Sequence, residues 1–195
     1  CRCSFARNYD KLGQQHGEEM PAVEVTAAEA VKSIKSGDTV YLGDACGEPE
    51  VLVEALMADK QRLRNVNLAA GITFGTSPYA EPGMEEHFKL ATTMVEPSTR
   101  NAVKEKRADY IPVRLFEIPR LFASGGPMQI DAALVMVAPP DDRGYFSLGV
   151  TVNYTLDAAL SSPLVIAEVN ERMPRTPGRC RAGSPPPNWR RRSAR

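Results

Sequence analysis

Two stretches of this chain stay apolar on both faces of a strand. They are residues 132–138, Ala-Ala-Leu-Val-Met-Val-Ala, and Leu164–Val169, Leu-Val-Ile-Ala-Glu-Val. Continuous apolar character is what a central parallel strand covered by helices requires. Shorter strands are predicted at Thr39–Leu42, Val66–Ala70 and residues 90–95, with a marginal or edge strand at 110–113, interrupted by Pro112. Between them the apolar spacing changes to the helical period. Residues 26–36 read as a helix opened by the capping box Thr26-Ala-Ala-Glu29 and closed at Gly37, where positive φ costs little. Val51, Leu52, Ala55 and Leu56 form a second helical stripe, with Pro49 near its first turn. Further helices are predicted at 98–107, capped by Ser98, and at Thr155–Ser161, with a helical turn at Ile118–Phe122. Met94 and Met136 fall in strands and read as core. Strands alternating with helices across short loops define an α/β chain: an open, mostly parallel sheet with helices on both faces and right-handed crossovers.

Composition changes this picture only at the ends. With 195 residues, 43% of them hydrophobic and 25% charged, the chain suits one globular domain with ragged termini. Residues 1–20 are polar and read as irregular, the domain proper as 21–176, and 177–195 as a disordered tail. That tail holds six arginines and no acid, so the formal net charge of zero leaves the rest of the chain at minus six. A basic arm for nucleic acid is one reading of the tail. One basic patch without interleaved aromatics favours instead a frame-shifted or artificial end, and nucleic acid is not an expected partner. No apolar run reaches bilayer length, and the first residues, Cys-Arg-Cys-Ser-Phe-Ala-Arg, contain no signal-peptide core. The absence of an initiator Met suggests a fragment or a processed product. Cys1, Cys3, Cys46 and Cys180 form neither a disulfide framework nor a zinc spacing, so a cytoplasmic location and no metal are expected.

Candidate chemistry sits where strands run into helices, because open α/β sheets bind ligands at the carboxyl ends of their strands. The first such loop is 43–49, Gly-Asp-Ala-Cys-Gly-Glu-Pro. Its glycines would let the backbone approach a ligand, and the following helix N-terminus favours an anion or a developing oxyanion. It is neither a phosphate P-loop nor a dinucleotide fingerprint. A plain βα turn is the competing reading. The second loop is 139–149, Pro-Pro-Asp-Asp-Arg-Gly-Tyr-Phe-Ser-Leu-Gly. Ser147 has no histidine in a useful context, so it reads as a hydrogen-bonding or turn residue rather than a nucleophile. Cys46 lacks a nearby histidine for the same purpose. Arg100 could grip a carboxylate or phosphate bidentately, or be a solvated first-turn arginine.

Several motifs, in order, resemble the acetyl-CoA hydrolase/transferase N-terminal domain (the 4-hydroxybutyrate CoA-transferase-like family). They are Asp109-Tyr-Ile-Pro112 followed by Glu117-Ile-Pro-Arg-Leu-Phe122, and residues 138–149 leading to Asn153-Tyr154. Val165-Ile-Ala-Glu-Val-Asn170 followed by Met173-Pro-Arg-Thr176 is another, as is the unit from Thr26-Ala-Ala-Glu to Gly37-Asp-Thr-Val40. The resemblance runs from about Val23 to Thr176. It implies a CoA-transferase N-terminal-domain-like fold, related to that of sugar-phosphate isomerases. It implies the N-terminal half of an enzyme moving CoA between an acyl-CoA, acetyl-CoA or similar, and a carboxylate such as acetate or 4-hydroxybutyrate. CoA is then a substrate, no cofactor is expected, and the complete enzyme is expected to be a homo-oligomer.

In that family a glutamate of the second half attacks the thioester, giving in turn a mixed anhydride and a glutamyl-CoA thioester. No glutamate here matches it, so no catalytic residue is assigned and the C-terminal catalytic domain is expected to be absent. Asn153 stands where an aspartate is more often expected, and no carboxylate role is carried to it. The expected substrate- and CoA-binding residues are Gly43, Gly47, Glu48, Pro49, Arg100, Gly144, Ser147 and Gly149. Two alternatives remain: a non-catalytic α/β binding module or pseudo-enzyme fragment, and an isomerase-like protein, which would need a catalytic base the sequence does not display. The transferase reading predicts an exposed apolar face where a second domain docks.

Overall fold

The computed structural model describes residues 2–7, 23–123, 125–142 and 146–176. Eight strands form one sheet: β1 (Arg2–Arg7), β2 (Val23–Val25), β3 (Thr39–Leu42), β4 (Val66–Ala70), β5 (Phe88–Thr92), β6 (Ala108–Tyr110), β7 (Ala132–Val137) and β8 (Leu164–Val169). Their spatial order is β2-β1-β8-β7-β3-β4-β5-β6. The six strands from β8 to β6 run parallel, while β1 pairs antiparallel with both β8 and β2 at one edge. The sheet is therefore open and mostly parallel.

Helices cover both faces because β3, β7 and β8 alternate which core they feed. Val40, Leu42, Ala132, Leu134 and Ile166 pack with α1 (Ala27–Ala30), α2 (Glu50–Ala58) and α3 (Arg100–Lys104). The intervening Tyr41, Ala133, Val135, Val137, Val165 and Ala167 pack with α4 (Ile118–Phe122) and α5 (Thr155–Ser161). All six residues of β7 are buried, as its unbroken apolar sequence predicts.

Glu168 is the one carboxylate in β8, and it is buried. Its Oε2 accepts from the Val51 and Leu52 amides at 3.0 and 3.2 Å, so it caps the first turn of α2 from across the sheet. Burial raises its pKa above the ordinary glutamate value, and the two amides counteract this.

Several expectations are corrected. Residues 2–7, within the stretch read as irregular, form strand β1. Its hydrogen bonds go to β8, more than 150 residues away in sequence, and local patterning carries no trace of that pairing. Strand β5 ends at Thr92, not 95, and Met94 is 41% exposed rather than core. The helix expected at 98–107 is only α3. Ser98 does not cap it; its hydroxyl meets that of Ser77 at 3.0 Å. At its other end Lys106 takes φ of 60°, and the Lys106 and Arg107 amides turn back to Val103 and Ala102, a Schellman-type stop. The helix at 26–36 is a single α turn continued by a 3₁₀ turn, though its capping box is present as predicted. The tail at 177–195 and most of 1–20 lie outside the described residues.

Candidate functional site

From β3 the chain builds outward through β4, β5 and β6, then returns to place β7 and β8 on the other side of β3. The strand order thus reverses between β3 and β7, and a crevice outside the carboxyl ends of those two strands is the expected ligand position. The loops that leave them are 43–49, singled out from the sequence, and 138–154, which contains the second loop singled out there, 139–149.

Loop 43–49 is held by its own two carboxylates, both buried. Asp44, 1% exposed, reaches toward α5. The Asn153 amide nitrogen donates to its Oδ1 and Oδ2 at 3.1 and 3.0 Å, and the Thr155 hydroxyl lies 3.2 Å from Oδ1. The Tyr41 hydroxyl meets Thr155 Oγ1 at 2.8 Å. With the Thr155 proton directed at Asp44 or Asn153, Tyr41 is the donor in that pair. Asn153 also accepts from the Thr155 amide at 2.9 Å, an Asx turn that opens α5. Burial raises the Tyr41 and Tyr154 hydroxyls above the ordinary tyrosine pKa, and the nearby Asp44 charge adds to both shifts.

Glu48 reaches the other way, to the loop after β4. Its Oε2 accepts from the Thr73 hydroxyl at 2.6 Å and the Gly75 amide at 3.2 Å. Tyr79, beneath the same loop, is pushed up to about 12, chiefly by burial, with the Glu48 carboxylate contributing. The backbone adds a further tie, from the Ala45 amide to the Ile72 carbonyl at 2.7 Å. On the side toward β7, the Gly43 amide donates to the Leu134 carbonyl at 2.8 Å. Gly47 packs so closely on Thr151 that a Cβ there would overlap the threonine hydroxyl.

The predicted residues are therefore only partly brought together. Gly43, Gly47, Glu48 and Pro49 form the central loop, and the Asp44–Asn153 and Gly47–Thr151 contacts join it to the loop carrying Ser147 and Gly149. Glu48 is turned inward and engaged by Thr73 and Gly75. The Ser147 hydroxyl accepts from the Gly149 amide at 3.2 Å, as a turn residue does. Gly149 takes φ of 61° and lies against Met173, which leaves no space for a side chain. Arg100 is exposed at the start of α3, on the loop after β5, one strand beyond this cluster. Gly144 lies outside the described residues. Sequence reasoning missed Asp44, Thr73, Thr151 and Thr155 as site-builders. An acidic residue directly after a strand was the signal for Asp44, but its partner is 109 residues away. Among the described residues no group of three or more metal-ligating side chains gathers, and no helix is long and apolar enough to cross a membrane.

An open, mostly parallel sheet whose strand order reverses beside these loops defines a class of α/β fold with a ligand crevice at the carboxyl edge. Residues 10–182 match the acetyl-CoA hydrolase/transferase N-terminal domain, and the chain belongs to that family. It is 42% identical over 154 residues to a 4-hydroxybutyrate coenzyme A transferase of Clostridium kluyveri, an alignment covering 79% of this chain and 36% of that protein. It superposes on RipA from Yersinia pestis with a TM-score of 0.73 at 30% identity, covering 79% of this chain and 38% of that one. A 4-hydroxybutyrate CoA-transferase from Porphyromonas gingivalis gives a TM-score of 0.63 at 30% identity, covering 80% and 35%. The chain spans little more than a third of the length of these relatives.

Proposed function

We propose that this chain forms one wall of the cleft of a CoA-transferase that moves CoA between an acyl-CoA and a small carboxylate. The carboxyl edge of the sheet is that wall, with loop 43–49 at its centre and Ser147 and Gly149 beside it. Gly43, Gly47 and Pro49 shape the loop, Glu48 orients it through Thr73, and Arg100, exposed at the start of α3, meets an anionic group at the rim. The other wall, with the attacking carboxylate, belongs to a second domain docked on this edge. Coenzyme A is a substrate in this reading and not a resident cofactor, the assembled enzyme is a homo-oligomer, and its compartment is the cytoplasm.

The observation that carries the proposal is where the exposed apolar side chains lie. Phe74 is 71% exposed on the loop after β4, and Met94 lies on the loop after β5. Leu115 and Phe116, the latter 67% exposed, follow β6, and Val150 and Val152 follow β7. These six, with Val95 beside Met94, sit on connections leaving the carboxyl ends of parallel strands, and the exposed Tyr110 is the last residue of β6. Large apolar groups exposed on a shared edge mark an interaction surface. Leu160, on α5, is a scattered exception of the kind every surface has.

A chimera tests the reading: residues 23–176 replace the matching segment of the Clostridium kluyveri transferase. The expected result is a folded protein that transfers CoA from acetyl-CoA to 4-hydroxybutyrate, while the 195-residue chain alone transfers none. A folded chimera without transfer, or transfer by the chain alone, would overturn it. The same chimera with Phe74→Ser and Phe116→Ser should lose association between its halves, seen as increased protease sensitivity of the junction.

A further inference from the structure

Glu48 is engaged at only one of its two carboxylate oxygens. Oε2 accepts from the Thr73 hydroxyl at 2.6 Å and from the Gly75 amide at 3.2 Å. Among the described residues no donor meets Oε1. Glu48 is 7% exposed, yet Oε1 is not among the sealed polar atoms that lack a partner. The small part of Glu48 that solvent reaches therefore includes this oxygen. The Tyr79 hydroxyl, directed at Ser77 and Thr73, senses Glu48 through its charge alone. A carboxylate with one oxygen fixed by two donors and the other open is an acceptor whose direction is set in advance.

Gly75 keeps that oxygen uncovered. A Cβ at position 75 would stand 3.0 Å from Oε2 and 3.1 Å from Oε1, across the carboxylate. Gly75 is not among the glycines with positive φ, so backbone conformation does not require a glycine there. Close approach to the carboxylate does. Phe74, between the two residues that hold Oε2, is 71% exposed. Three consecutive residues thus bring an aimed acceptor and an exposed apolar ring to the same short loop. A carboxylate repels the carboxylate and phosphate groups of a substrate, so what it selects is a neutral N–H or O–H donor. A donor beside an apolar surface describes an aliphatic chain that carries amides. In the transferase reading, on which this step rests, that chain is the arm of CoA between its nucleotide and its thiol, where methylenes alternate with amides.

We propose that Glu48 Oε1 accepts a hydrogen bond from an amide N–H of the CoA arm, and that the arm lies against Phe74. Clamp and contact then belong to one side chain. Thr73 and Gly75 hold the oxygen that fixes loop 43–49, and in doing so they aim the other at the ligand.

Glu48→Gln separates the two roles. Its amide oxygen keeps both bonds of the clamp, while its NH2 replaces Oε1 and turns an acceptor into a donor. In the chimera carrying residues 23–176, this variant should melt with its parent. Its Kd for CoA, read by titration calorimetry, should rise about 10- to 100-fold, the loss of a hydrogen bond to a charged group. Of CoA analogues with a single arm N–H replaced by CH2, one should bind the parent as weakly as CoA binds the variant, and lose nothing more in the variant. Gly75→Ala covers the same oxygen without altering it and should weaken CoA in the same sense. Unchanged CoA affinity in either folded variant, or analogues that lose as much in Glu48→Gln as in the parent, overturns the proposal. So does a KM that rises for 4-hydroxybutyrate but not for acetate, which would place the hydroxyl of the acid at Oε1. A chimera with native Glu48 that transfers nothing refutes the transferase reading, and this contact with it.

Discussion

The Asp44–Asn153 contact supports a prediction whose size depends on pH. Both Asp44 oxygens accept from one Asn153 nitrogen, at 3.1 and 3.0 Å. Asn153→Asp replaces that donor with an acceptor carrying negative charge. At such a separation, with an effective dielectric constant near 20, two carboxylates repel by about 5 kcal/mol. The repulsion is not paid in full. Asn153 is at the surface, so the introduced carboxylate can swing into water, and the cost then falls to that of the lost charge-assisted bond, about 1.5–3 kcal/mol. The expectation at pH 7.5 is therefore a destabilisation of about 2–3 kcal/mol, a melting-temperature loss on the order of 5–10 °C for a domain of this size. On acidification the pair can share one proton and restore a hydrogen bond in place of the repulsion. The deficit should thus shrink to below about 1 kcal/mol by pH 5. Asn153→Ala removes the same bond without adding charge and should show a deficit that barely changes over the same range. Urea melts of wild type and both variants at pH 5 and 7.5 decide the matter. An Asn153→Asp deficit that is flat or grows toward pH 5 would refute the assignment of Asn153 as donor to Asp44.

Other substitutions test other links. Glu168→Ala leaves the Val51 and Leu52 amides without their acceptor and should cost about 1–3 kcal/mol in urea melts, whereas Glu168→Gln keeps an acceptor oxygen and sheds a buried charge. Because burial raises the folded-state pKa of Glu168, wild type should gain on Glu168→Gln as pH falls from 7 toward 4.5, and a trend in the opposite direction would contradict that shift. Gly47→Ala drives a methyl into the Thr151 hydroxyl and should destabilise by about 1–3 kcal/mol; Thr151→Ala in the same chain should restore most of it, measured by thermal melts of the double variant. Leu134→Ala in the fully buried centre of β7 should cost about 3–5 kcal/mol, with an unchanged dependence on urea concentration.

The central sheet was legible because its strands are apolar on both faces. β3, β4 and β8 begin and end where the pattern places them, and so does α5. Patterning failed where burial and apolarity part company. Met94 and Val95 continue the apolar run of β5 yet point to solvent, because hydrophobicity does not distinguish a core position from a surface awaiting a partner. It failed again at α3, where a Lys in the left-handed region ends a helix the composition would prolong. The loop at 43–49 could be located from its place between a strand and a helix. What its residues do could not, since Asp44 and Glu48 are defined by partners 109 and 25 residues away. Glu48 in particular, expected from the sequence as a substrate- or CoA-binding residue, is buried and clamps the loop to Thr73 and Gly75 in the fold.

Backbone strain points to the same edge. Among the described residues, four other than glycine adopt positive φ: Ala45, Asn65, Ser77 and Lys106. Asn65 and Lys106 lie just before β4 and β6, at the amino edge, where an Asn or a helix stop accounts for the conformation. Ala45 and Ser77 are on the carboxyl edge and have no such excuse. Each carries about 1–2 kcal/mol of left-handed strain that a glycine would avoid. Ser77 is fully buried and held by Ser98, while Ala45 is held by the Ile72 carbonyl. Strain of this size persists only where surrounding bonds over-determine the backbone. The carboxylate clamps of Asp44 and Glu48 on either side of Ala45 are such bonds. A loop that only connected β3 to α2 would need neither the strained residue nor two buried charges. Their coincidence at the point where the strand order reverses indicates that the shape of loop 43–49 is maintained at a cost in stability.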